Sequence, residues 1–292
     1  MSVPPPGAHN RRVRTPNPTA GWEIARPARP SAPGAIAMAG FRIRGDGLSE
    51  LRAIPHPAVT IVVDFGERPL TVSEAGGGSR SGSLVVGLGF RELRVRADLL
   101  EAVQVRLSPL AAREVLGVPL AELGGNVIAL EDLWARDAGR LRERLHDAHT
   151  WQDRFDLIDS ALSQRLRARR SIEPEVAWVW QQIMASHGLA RITDLAERTG
   201  RSRQQLWSRF GRQIGLSPKR AAMLVRFDHA IHRLADGHPP ARVAAVTGYA
   251  DQAHLHRDIR AFTGATPAAA AAEPWLAADD TAWPTRMVTG VR

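Results

Sequence analysis

Three short apolar runs stand out in the first half of the chain: "AVTIVVDF" (58–65), "SGSLVVGLGF" (81–90) and "EAVQVRLS" (101–108). They are β-rich, and "GERP" and "EAGGGSRSG" break them with turn residues, so the pattern predicts strands from about Ala37 to Leu107. The glycine run itself reads as a hairpin or a flexible loop. From Pro109 the period changes to that of helices. "SPLAAREVLG" sets Ser108 as a cap, Pro109 in the first turn and Gly117 at the exit. Leu141 and Leu145, then Phe155, Ile158, Leu162 and Leu166, predict two amphipathic helices on either side of Thr150.

"RARRSIEPE" (167–175) is a charged joint containing Pro174, and a domain boundary is expected there. Helical periodicity then continues until "PAAAAAEPWLAADDTAWPTRMVTGVR", where it fades. The expected organisation is a flexible Pro/Arg-rich arm (1–36), a β-rich sensor or dimerisation domain with a helical end (37–166), and a linker (167–175). An all-α domain (176–270) and a flexible tail (271–292) complete it. The fold class is α+β.

Two segments of the helical region share one skeleton. In "ITDLAERTGRSRQQLWSRF" and "RVAAVTGYADQAHLHRDI", a short helix with an inward alanine (Ala196, Ala244) meets a glycine (Gly200, Gly248). A second helix follows, anchored by a leucine (Leu206, Leu255). Glycine fits the left-handed turn and alanine lets the helices approach closely, which is helix-turn-helix grammar. Between the copies, Ser217 and Pro218 start a long helix that carries Leu224, Phe227, Ile231 and Leu234 on one stripe, and Gly237 closes it. At 1.5 Å per residue it reaches roughly 27 Å, and successive major-groove faces of B-DNA repeat about every 34 Å. Such a strut holds two recognition helices in adjacent grooves.

Charge and composition narrow the function. The formal charge is +9, and residues 172–270 hold 13 Arg/Lys against 8 Asp/Glu. Of 39 basic residues only Lys219 is lysine. Arginine's donor fork suits phosphates and guanine edges, but GC-rich codon use gives the same excess, so charge alone decides nothing. With no cysteine, disulfides, thiolate nucleophiles and cysteine–zinc sites are all excluded. No apolar stretch is long enough to span a bilayer and the N-terminus lacks an apolar signal core, so a cytoplasmic protein is expected.

Residues from about Trp178 to Pro267 resemble the DNA-binding domain of the AraC/XylS transcription regulators. The resemblance rests on "LAERTGRSRQQLWSRFGRQIGLSPK", "RFDHAIHRLADG" and "VAAVTGYADQAHLHRDIRAFTGATP". Gly248-Tyr249, Asp251, Gly264 and Thr266-Pro267 stand where that family's signature has them, while Leu255 and Ile259 replace residues that are often aromatic. Residues 37–166 are similar to the small cupin-like sensor half of such regulators, and "VQVRLSPLAAREVLGVPLAEL" is similar to a segment of many actinobacterial members. The resemblance implies a sequence-specific regulator of double-stranded promoter DNA; the N-terminal similarity implies neither a ligand nor an activity, and whether a small organic effector and RNA polymerase are further partners stays open. Such a regulator needs no cofactor.

On the first recognition helix, Arg203, Gln204, Trp207 and Ser208 should face outward. The resemblance gives Gln204 and Trp207 base contacts, although Trp207 also reads as a half-buried packing residue. On the second, Gln252, His254, His256 and Arg257 are the candidates, with Arg257 reaching guanine or phosphate or simply staying solvated. Asp251 is expected to cap this helix, since phosphates would repel it. His254 and His256 point about 200° apart and cannot chelate one ion; a pairing of His254 with Asp258 is geometrically possible.

Catalysis finds no support. The β-rich region offers only His56 for a metal, "GLGFRE" breaks the dinucleotide fingerprint at Glu92, and "AGGGSRSGS" lacks the lysine of a phosphate loop. Two rivals remain: a small-molecule-binding β-domain with a helical protein-interaction module, and a cupin-like enzyme fused to a DNA-binding domain. Finally, the stripe Phe155, Ile158 and Leu162 is expected either to pair two subunits into a homodimer or to pack on its own sheet.

Overall fold

The computed structural model describes residues 19, 21–29, 35–166 and 172–283. Among these residues eight strands form one antiparallel sheet: β1 (Trp22–Ala25), β2 (Ile36–Ala53), β3 (Val59–Asp64), β4 (Thr71–Glu74), β5 (Ser79–Ser81), β6 (Leu84–Val86), β7 (Leu93–Leu107) and β8 (Val127–Ala129). Their order is β1-β2-β7-β3-β6-β8. The long β7 is the spine. It pairs with β2 along one edge, and on the other with β4 near Leu93–Arg96 and β3 near Ala102–Leu107. The glycine run is a hairpin between β4 and β5, closed by Glu74 N–H donating to the Gly78 carbonyl at 2.8 Å.

The apolar runs alternate between two buried faces, and this explains why they look nearly continuous in sequence. Val103, Val105 and Leu107 face one core with Ile61, Val63 and Val85. Leu100, Ala102, Gln104 and Arg106, with Thr60, Val62, Leu84 and Val86, line the opposite face.

Helices α1 (Pro109–Leu116), α2 (Leu120–Leu123), α3 (Leu130–Trp134), α4 (Arg136–Asp147) and α5 (Trp151–Leu166) cover the first face. Ser108 caps α1 by accepting from Leu110 N–H, and Gly117 ends it in the left-handed conformation, as the sequence predicts. Phe155, Ile158 and Leu162 are each 1% exposed and belong to this core. These three side chains therefore do not form a subunit contact: α1 and α4 take up the stripe within one chain.

The second half comprises α6 (Pro174–Ala185), α7 (Ile192–Arg198), α8 (Arg203–Ile214), α9 (Pro218–Ala235), α10 (Pro240–Val246), α11 (Gln252–Thr263), α12 (Pro267–Ala271) and α13 (Pro274–Ala282). Two ends of the chain differ from the sequence reading. Within the arm, Trp22–Ala25 is a strand paired with Gly40–Ile43, its Trp22 and Ile24 joining the cavity-side core; residues 1–18, 20 and 30–34 lie outside the described residues. Within the tail, α13 is a packed helix. Leu276, Ala278, Asp279, Ala282 and Trp283 are buried, most of them against the sheet. Most of the linker lies outside the described residues, and α6 already begins at Pro174.

Candidate nucleic-acid interface and interdomain cavity

Each copy of the repeated skeleton folds as a helix-turn-helix. Ala196 and Ala244 are each 2% exposed at the helix crossings. Gly200 and Gly248 take φ values of 64° and 73°, where a side chain costs about 1–2 kcal/mol. The following helices are firmly capped. Ser202 accepts from Gln205 N–H and the Gln205 side chain accepts from Ser202 N–H in return. In the second copy Asp251 accepts from His254 N–H at 2.6 Å, the capping role expected of it.

With Leu206 and Phe210 buried, α8 turns Arg203, Gln204 and Ser208 to solvent and leaves Trp207 half-buried. The Arg203 guanidinium lies 5.2 Å from the Trp207 ring centre, and Arg212 donates to the Ser208 hydroxyl at 3.0 Å. On α11, Leu255 and Ile259 face inward, and Gln252 and Arg257 are exposed. His254 is half-buried, edge-on to Tyr249 at 5.1 Å and 3.8 Å from Asp258. His256 is half-buried beside the Gln252 amide at 3.4 Å. No group of three potential metal ligands occurs among the described residues. Exposed Arg198 and Arg242, on the helices that precede the two turns, were not singled out in the sequence, where nothing separates them from other surface arginines.

The two motifs share α9. Ala221, Leu224 and Val225 join the core of the first, whereas Phe227, Ala230 and Ile231 join that of the second. Ser217 caps this helix and Pro218 opens it. Its 18 residues form one uninterrupted rod of about 27 Å.

A cavity of about 140 Å³ lies where the sheet meets α9 and α13. Apolar residues such as Phe41, Val62, Leu70 and Val95 line most of it, and Asp228, His232, Trp275, Leu276 and Asp279 from the second half close it. Five charged or titratable groups, Arg106, Asp279, His232, Asp228 and His56, cluster at this junction. Arg106 donates to both Asp279 oxygens at 2.8 and 3.2 Å. His232 joins Asp279 at 3.0 Å through Nε2 and the Asp228 carbonyl at 2.7 Å through Nδ1.

Burial opposes charge on Asp279, but the Arg106 charge and the hydrogen bonds from His232 and Arg106 outweigh it and hold the carboxyl well below its usual range. Burial likewise works against His232. Because both ring nitrogens face acceptors, protonation wins and its pKa is raised. His56 lacks such a partner. Among the described residues its ring hydrogen-bonds only with the Thr60 hydroxyl, at 3.0 Å, and burial, aided by the Arg106 charge, pushes it down to about 3.

Further contacts tie the halves together. Arg52 pairs with Glu273 at 2.9 Å, and the Phe90 and Phe262 ring centres lie 4.2 Å apart. No helix among the described residues is long and apolar enough to cross a membrane.

Residues 195–272 match the family model of a helix-turn-helix domain. Comparison with curated proteins found no match. Among solved structures the chain is similar to ToxT from Vibrio cholerae, with 11% identity and a TM-score of 0.47 over 88% of this chain and 100% of that one. For the unsaturated fatty acid bound form of ToxT the identity is 8% and the TM-score 0.45, over 88% of this chain and 97% of that one. The likeness is distant, and the site stands on this chain's own residues.

Proposed function

Since residues 195–272 are a helix-turn-helix domain of the AraC type, we propose that the chain is a sequence-specific transcription regulator reading two adjacent major-groove segments of double-stranded DNA. The observation that carries this reading is the shared rod α9, with one capped, outward-facing helix fixed to each of its ends. Arg203, Gln204, Trp207 and Ser208 serve one groove, and Gln252, His254, His256 and Arg257 the next. Gln204 is shaped for adenine and Arg257 for guanine. Arg198 and Arg242 meet phosphates, which fix register without carrying sequence information. The reading is of a cytoplasmic, non-enzymatic protein whose action on promoters reaches RNA polymerase.

The sheet domain is the sensor in this reading. Its cavity is walled partly by α9 and α13, so an effector lodged there touches the element that sets the spacing of the two motifs. Enrichment of random DNA on the pure full-length protein tests the DNA-binding claim. A discrete site of roughly 15–20 base pairs is expected, two readings one helical turn apart. Log K should fall linearly with log salt by about 0.9 per phosphate contact. Binding that ignores salt, or is equal on all sequences, overturns the claim.

A further inference from the structure

We propose that the interdomain cavity takes an uncharged, mainly apolar molecule about one aromatic ring in size that bears one hydrogen-bond acceptor, and that Asp279 bars anions by acting as the chain's own counter-ion to Arg106. This rests on the reading of the sheet domain as a sensor.

Size comes first. The cavity is about 140 Å³, and an apolar cavity of roughly 150 Å³ in another protein admits benzene. Its walls are chiefly aliphatic and aromatic, so most of the occupant must be apolar.

Charge comes next. The cationic group in the inner wall, Arg106, already has both terminal nitrogens on Asp279. Asp228 also lines the cavity, its carboxylate 3.7 Å from His232 Nδ1. The other cations of the lining are also engaged: His232 is held by Asp279 and the Asp228 carbonyl, and Arg91 is half-exposed and paired with Glu74 at 2.6 Å. An entering carboxylate would lose its hydration, meet the Asp279 carboxylate and find no unpaired cation.

The acceptor is argued from what the wall lacks. Arg106 Nε and the Trp275 indole nitrogen, both on lining residues, are buried N–H donors without a hydrogen-bond partner among the described residues. Buried donors left unmet are costly, and a ketone, ether or hydroxyl oxygen satisfies them without disturbing Asp279. Trp275 on α13 and Arg106 on β7 both line the cavity, so one occupant can touch both the helix and the sheet.

The test uses the full-length protein and three one-ring probes: toluene without an acceptor, acetophenone with a neutral one, and benzoate with an anionic one. Thermal melting and tryptophan fluorescence give affinities for the parent, Asp279→Asn and Val86→Phe, the last of which fills the cavity. Acetophenone should bind the parent at least tenfold more tightly than benzoate and more tightly than toluene. Val86→Phe should abolish its effect. Asp279→Asn should shift the acetophenone-to-benzoate ratio at least tenfold towards benzoate. Preference for benzoate in the parent, no binding by any probe, or a response that survives Val86→Phe overturns the proposal. An unchanged ratio in Asp279→Asn overturns the counter-ion role, and if that variant fails to fold, the parent and Val86→Phe still decide. DNA affinity measured on the same samples separates the two levels: acetophenone that binds the cavity without changing it overturns the sensor reading and leaves the ligand class standing.

Discussion

Arg106 on β7 and Asp279 on α13 meet through two charge-assisted hydrogen bonds, 173 residues apart in sequence. Their side chains are 15% and 11% exposed, so this is a buried pair. Arg106 also lies 4.4 Å over the ring of Trp283, the residue that ends α13, so one segment holds the guanidinium by charge and by an aromatic face. Removing one partner of such a pair strands the other. Asp279→Ala should therefore cost about 3–5 kcal/mol in urea unfolding. Arg106→Ala should cost a comparable amount, and the double variant less than the sum of the two. Additive losses would mean that the pair is not a unit.

That pair also shows why the sequence was legible in one place and not in another. The helix-turn-helix copies depend on partners within about twenty residues: Ser202 on Gln205, Asp251 on His254, Ala196 and Ala244 beside their turn glycines. Local chemistry of this kind leaves a readable pattern. The helix α13 does not, because what stabilises Trp275, Asp279 and Trp283 is a sheet far upstream. Trp275 and Asp279 at helical spacing were the available signal, obscured by Pro274 and the run of alanines before it. Strand β1 was hidden for a similar reason, since four residues pair only because β2 offers an edge. The base-reading assignments rest on the exposure of their side chains and on resemblance.

Stability should depend on pH in two opposite limbs. His56 is held down to about 3, so the folded chain refuses a proton that the unfolded chain accepts below about 6.5. Its contribution to stability therefore falls as pH drops from about 6.5 towards 3, by up to about 1.4 kcal/mol per unit. His232 is raised. Its contribution is full below about 6.5 and is lost as pH climbs through the folded value. Asp279 is lowered, so its contribution is lost only in stronger acid. Urea midpoints between pH 5 and 8 should show His56→Gln with a flatter acid limb and His232→Gln with a flatter alkaline one. An acid limb as steep in His56→Gln as in the parent would remove His56 from the account.

Leu162 tests the internal packing of α5. At 1% exposure it has no surface to offer a second subunit. Leu162→Glu buries a carboxylate among Phe155, Ile158 and the α1 side chains and leaves it without a partner. The variant should unfold or lose more than about 4 kcal/mol. A well-folded variant that sediments at half the parent's mass would restore the subunit contact that the structure argues against.

The two recognition helices make separable claims. Gln204 projects from an exposed first turn of α8, and Arg257 from the exposed face of α11 without an ion-pair partner among the described residues. Each is free to meet a base edge, and losing a bidentate contact of this type costs about 1–3 kcal/mol. Gln204→Ala and Arg257→Ala should thus weaken the best site by that much each and relax preference at positions about one helical turn apart, because α9 separates the helices by roughly that span. Lys219 is exposed in the first turn of α9, outside both α8 and α11. Lys219→Ala should weaken binding evenly across sites or leave it unchanged. Binding measured against a panel of single-base variants decides between these outcomes: if Gln204→Ala ranks the panel as the parent does, α8 reads the groove through other side chains.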